Sequence, residues 1–273
     1  VLFWEGKISV NNVKICKISR NETANNVTGF SVWNHTVQPS NQNDVTNLWN
    51  QAYLAINRMN VFLEGIDANT TKLKGQGVTD ATLNGYKGEA RFLRGLSYFS
   101  LLQLYASPFA DGNGGDNNLE RATVAAVYAQ ILDDLNFADS NLPTTRASAL
   151  LNSTRAVKSA AIALKTRVYL HMGRYADVIT EANKIVSANA PFTSSAGIAH
   201  TLAPSVADVF KTPYTHVERI FNFPFTENDL PGTQNGLGSY YNPGPRGIGD
   251  YFMNTNGLMK DTVGWRSNDD RRS

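Results

Sequence analysis

Five aromatic residues fall in segments that no regular element claims: Trp33, Tyr214, Tyr240, Tyr241 and Trp265. Asn34, Asn235, Asn242 and Arg246 accompany them. Flat aromatic faces pack against the C–H surface of sugar rings, and amides or a guanidinium satisfy the hydroxyls around the ring edge. The same side chains could equally fill a core beneath long loops, and the residues alone leave both readings open. The residues best placed to serve a ligand are Trp33, Asn34, Tyr240, Tyr241, Arg246 and Trp265.

Other groupings are weaker. His35, His171, His200 and His216 have no ligand spacing with one another or with acids, and no H-E-x-x-H or cysteine pair occurs, so neither a metal nor another cofactor is expected. His171, at a helix end before Gly173, reads as a C-terminal cap. Asp133-Asp134 point in different directions in mid-helix and read as solvated. The segment Asp111-Gly112-Asn113-Gly114-Gly115-Asp116 fails as a calcium loop, since Gly115 and Ala122 stand where oxygen ligands belong. No G-x-S-x-G, phosphate loop or dinucleotide fingerprint precedes a suitable helix. Glycosidase chemistry needs two carboxylates across a cleft, and nothing nominates the pair. The chain is therefore read as non-catalytic. The sequons at Asn21, Asn26, Asn34, Asn69 and Asn152 carry no weight in so Asn/Thr-rich a chain.

The bulk numbers agree with a recognition role. With 25 basic and 23 acidic residues the net charge is +2, and no basic stripe stands out, so nucleic acid is not an expected partner. Hydrophobic residues make up 42% of the 273, enough for a sizeable core. No apolar run approaches the ~18–20 residues of a membrane span. The single Cys16 excludes an intrachain disulfide and reads as a free thiol.

Helices must position these loops. Residues 1–43 read as irregular, with one short hairpin around Asn11-Asn12. Asp44 caps a first helix whose shared face is Leu48, Trp49, Ala52, Tyr53, Ile56, Asn60 and Leu63, with Gly65 as its expected end. A link over 69–79 leads to a second helix over 81–106, with Ala90, Leu93, Leu96, Ser97, Leu101, Leu104 and Tyr105 as its buried stripe and Pro108 as its stop. A third closes at Leu142-Pro143, a fourth spans 153–172 and a fifth 175–189. Tyr169, Gly173, Tyr175 and Pro191 match the landmarks of one tetratricopeptide-like unit. The organisation expected is an irregular segment 1–43, a helical repeat region 44–190, and a proline-punctuated, loop-rich region 191–273. The class is mainly α: an α–α superhelix of tetratricopeptide-like pairs with a loop-rich irregular region.

Several ordered motifs resemble one family. Gly88-Glu89-Ala90-Arg91-Phe92-Leu93-Arg94-Gly95-Leu96-Ser97-Tyr98-Phe99, continuing to Pro108, is similar to the GEA-x-FLR-A-x-x-YF helix of the SusD/RagB family. Trp49 to Asn60 resembles its W-x-x-x-Y-x-x-I-x-x-x-N helix, and Asp269-Asp270-Arg271 its D-x-R segment. Gly95 replaces the usual alanine, and Ala106 the usual glycine.

The resemblance implies a surface-exposed outer-membrane lipoprotein that captures nutrient, mostly glycan, for a TonB-dependent SusC-like transporter. It implies contact with the membrane only through a lipid anchor that this chain does not carry, and a chain truncated at both ends. Family ligand loops precede the first repeat helix and follow the last, which points to Trp33 and to 240–265. Capture of peptide, or a scaffold using the concave helical face, are the alternatives.

Overall fold

A computed structural model describes residues 18–20, 38–40, 45–105, 122–187, 189, 200–201, 203–209, 211, 215–224, 240–242, 244–247, 249 and 251–253. The chain divides into two compact units, Ser31–Pro224 on one hand and Val1–Phe30 with Phe225–Ser273 on the other.

The first unit is helical. Helix α1, Asn47–Gly75, buries Ile56 and Ile66, and half-buried Trp49, Ala52 and Tyr53 pack on the core beside them. It runs ten residues beyond the stop expected at Gly65. A Cβ at Gly65 would meet nothing within 4 Å, so that glycine neither turns the chain nor admits a neighbour. Termination falls instead at Gly77, whose φ of +87° opens a left-handed turn, while Gln76 donates back to Leu73 and Lys72. Lys72 and Lys74 in the last turn complement the helix dipole.

Helix α2, Asp80–Tyr105, starts where the Thr79 hydroxyl accepts from the Thr82 amide at 3.2 Å. It buries Leu83, Gly88, Ala90, Phe92, Gly95, Tyr98, Phe99, Leu101 and Leu102. This differs from the expected stripe: Leu93 and Leu96 are only half-buried, and Leu104 is exposed. Helix α2 packs against both α1 and α3, Val124–Asn141, so it needs two apolar faces instead of one. Phe92 and Phe99 are almost wholly buried, each worth about 1.5–3 kcal/mol of transfer free energy.

Helix α3 is capped by Thr123, which accepts from the Ala126 amide, and it ends where Leu142 turns extended before Pro143. The fourth helix, expected over 153–172, is broken near its start. Helix α4, Ala149–Thr154, is capped by Ser148, and helix α5, Lys158–His171, follows an extended break at Arg155–Val157. Tertiary bonds hold the break: Lys158 N–H reaches Pro143 O at 3.0 Å, and Arg146 Nη2 reaches Ala156 O at 2.8 Å. Gly173, at φ +72°, reverses the chain into α6, Tyr175–Ala182, completing the helical hairpin that the landmarks predicted. A short α7, Val206–Val209, precedes the segment 215–224.

Charged groups tie the helices together from within. Asp134, expected to be solvated, is wholly buried on α3, where Arg91 and Arg94 of α2 both reach it. Lys165 of α5 is also buried, held by Asp139 of α3 at 2.6 Å and Glu181 of α6 at 3.0 Å. Buried charges persist only when paired in this way.

In the other unit, strand β1, Ile18–Arg20, pairs antiparallel with β2, Tyr251–Met253, with Ser19 opposite Phe252. Its partner is thus more than 200 residues away along the chain. The hairpin expected at Asn11-Asn12 lies outside the described residues, as do Cys16, the Asp111–Asp116 segment and Asp269-Asp270-Arg271.

Candidate functional site

Of the six residues nominated for a ligand, three are described, all in the unit that contains β2. Tyr240 and Tyr241 are consecutive helical residues, so their side chains diverge by about 100°. One turns in and one out: Tyr240 is 8% exposed and Tyr241 43%. Asn242 follows, also exposed, and the chain then turns through a cis Gly244–Pro245 peptide to an exposed Arg246. An aromatic face, an amide and a guanidinium thus lie at the surface within six residues. That is the chemistry expected for ring stacking with hydroxyl recognition. Trp33, Asn34 and Trp265, together with Tyr214, Asn235 and His35, lie outside the described residues.

The helical unit carries aromatics that the sequence did not single out as site residues. Phe92 meets Phe221 edge-on at 5.0 Å, and Phe221 meets Phe223 edge-on at 5.1 Å. This ladder leads from the core to Phe223, which is 63% exposed. The aromatic stretch Ile220-Phe221-Asn222-Phe223-Pro224 was the available signal. Near the start of α1, Trp49 packs on Tyr53 at 4.8 Å and edge-on to Tyr105 at 5.0 Å, while the Tyr105 hydroxyl donates to Val45 O at 2.6 Å. Burial raises the pKa of Tyr105, so its hydroxyl stays protonated as the donor.

His171 and His200 make internal contacts. His171 does not cap its helix; its Nδ1 bonds the Tyr128 hydroxyl, and its ring meets Phe99 edge-on at 5.7 Å. Buried His200 places Nδ1 2.7 Å from Val217 O, and so donates there, with Nε2 3.2 Å from Ser159 Oγ. Among the described residues no group of three or more His, Cys, Asp or Glu could hold a metal ion, and no helix is long and apolar enough to cross a membrane.

Packed helices, with one hairpin reversing at Gly173, define a mainly α protein of paired helices. The profile of the SusD-like family, described as starch-binding and associating with the outer membrane, matches residues 7–170, more than half of the chain. The chain belongs to this family. A SusD superfamily protein from Bacteroides fragilis is 28% identical with a TM-score of 0.71, over 89% of this chain and 54% of its own. A laminarin-binding SusD-like protein is 27% identical with a TM-score of 0.52, over 64% of this chain and 35% of its own. A SusD superfamily protein from Bacteroides vulgatus, 20% identical with a TM-score of 0.59 over 75% of this chain and 41% of its own, shares the fold. The chain thus spans about half the length of the Bacteroides fragilis relative or less of the others. No curated protein matches it.

Proposed function

We propose that the protein captures glycan without catalysis, at the cell surface, and delivers it to a TonB-dependent SusC-like transporter in the outer membrane. The observation that carries this reading is family membership, over residues 7–170, in a group described as starch-binding. The exposed Tyr241, Asn242 and Arg246 support it, because they offer a stacking face beside polar groups. The laminarin-binding relative supports a glycan ligand over a peptide. In this reading the helices of 44–190 form the scaffold and the loop-rich segments carry the ligand. Trp33, Asn34, Tyr240 and Trp265 join Tyr241 and Arg246 as the ligand set.

Isothermal titration of the full-length protein against starch, laminarin and a wider polysaccharide panel tests the reading. Binding to at least one, lost on Tyr241→Ala, is expected. No binding to any of them sinks it. Co-purification with a SusC-like transporter tests the delivery step.

A further inference from the structure

Glu89 of α2 is shared by two arginines. Arg155 places Nε 2.9 Å and Nη2 2.5 Å from Oε2, and Arg146 bonds Oε1 through Nη2. One carboxylate therefore faces two guanidinium groups, and among the described residues no other acid lies within ion-pair distance of either. Arg146 spends Nη2 a second time on Ala156 O, and its buried Nε has no partner. Burial, and next the charge of Arg155, lower the Arg146 pKa. Arg155 is 44% exposed on its side chain; Nε and Nη2 both serve Oε2, and among the described residues its Nη1 makes no hydrogen bond. A guanidinium has five donors, and its second edge fits a planar carboxylate. Tyr86, one helical turn before Glu89, is 45% exposed and lies close enough to interact electrostatically with Arg146.

We propose that Arg155 and Arg146, with the exposed ring of Tyr86, form an anion subsite that takes the carboxylate of an acidic sugar. The incoming carboxylate meets the open edge of Arg155 and supplies the missing negative charge, while the sugar ring lies on Tyr86. The sugar part rests on the glycan reading above; the anion part rests on the arginines alone. A plain inter-helix clamp would respond to no ligand.

Thermal unfolding of the full chain, at matched ionic strength, in galacturonate, galactose and acetate separates these cases. Galacturonate should raise the midpoint most and acetate less, with galactose near the salt control. Arg155→Gln should weaken the response to galacturonate about ten-fold, as expected for a lost charged hydrogen bond. Arg155→Lys keeps a pair with Glu89 but lacks the fork, so it should fold and show the same loss. Tyr86→Ala should bring galacturonate down to the acetate level. Equal midpoints in galacturonate and galactose, or an unchanged response in both Arg155 variants, would overturn the proposal. Neutral polysaccharide binding that survives Arg155→Gln would leave the glycan reading standing even then. Galacturonate stabilisation with no polysaccharide binding would remove that reading alone.

Discussion

Nη2 of Arg94 lies 2.6 Å from Oδ1 of Asp134, and Nε of the same arginine lies 2.8 Å from Oδ2. The carboxylate they clasp is wholly closed to solvent. Arg91 adds a third bond to it at 3.0 Å, and Arg94 also donates to Asn60 of α1 at 2.7 Å. Both arginines of the FLR-containing helix thus act as inter-helix fasteners, joining α1, α2 and α3 at one buried point. Burial works against the charge on Arg94, but Asp134 outweighs it and leaves the guanidinium above its ordinary pKa.

Asp134→Ala should therefore destabilise severely. It strands two partly buried guanidinium groups, of which only Arg91 retains an alternative carboxylate, Asp133, at 2.6 Å. Breaking one side of a buried pair costs about 3–5 kcal/mol, read as a lower urea midpoint at an unchanged slope. Asp134→Asn keeps the shape and should cost less. An exposed pair such as Lys74–Asp80 should cost under about 1 kcal/mol when Asp80 is replaced by alanine.

Lys165 gives the fold a dependence on alkaline pH. Burial pulls its pKa down, but hydrogen bonds to Asp139 and Glu181 pull harder, and the ammonium titrates above its usual 10.5. The folded state holds this proton more tightly than the unfolded chain. The contribution is hence fully present below about pH 10.5 and fades as pH rises through the folded-state value. Unfolding free energies measured by urea across that range should fall for the native protein. Lys165→Met, already weaker by about 2–4 kcal/mol, should lack this step. Parallel pH curves for the two proteins would refute the assignment.

Gly95 stands in mid-helix where the family motif has alanine, and the structure says what that methyl group would meet. A Cβ there lies 3.4 Å from Leu135 Cδ2, an ordinary contact, whereas at Gly88 it lies 3.2 Å from Leu142 Cγ. Gly95→Ala should thus recover about 0.5–1 kcal/mol of helix propensity and raise the melting temperature by a few degrees. Gly88→Ala must displace Leu142 and should gain less or lose. A larger gain at Gly88 would contradict this packing.

Helix existence and class were legible because they rest on local periodicity. The hairpin around Gly173 was legible to the residue, since a reversal there demands a left-handed backbone. Two features were not. Gly65 looked like a stop, yet Ile66, Thr70 and Leu73 continue the same inward face, and packing overrides one glycine. The break at Arg155–Val157 is held by Arg146 and Pro143, partners outside its own segment. Asp134 looked solvated for a similar reason, its arginines lying 40 and 43 residues away. For the ligand set, sequence named the neighbours Tyr240 and Tyr241 together, while the helical geometry distinguishes the packed ring from the presented one.

That distinction yields the sharpest check on function. Tyr241 is exposed beside Asn242 and Arg246, so Tyr241→Ala removes a stacking face without opening a cavity. Losing one aromatic platform should weaken glycan binding by about 1–2 kcal/mol, roughly ten-fold in affinity, with the melting temperature nearly unchanged. Tyr240 is buried, and Tyr240→Ala should instead cost about 2–4 kcal/mol of stability through lost burial and the void left behind. Titration and melting of both variants, with the same glycan, separate the two roles. If the Tyr241 variant keeps full affinity while the Tyr240 variant merely loses stability, the ligand lies elsewhere on the surface, and the exposed Phe223 at the end of its ladder becomes the next ring to remove.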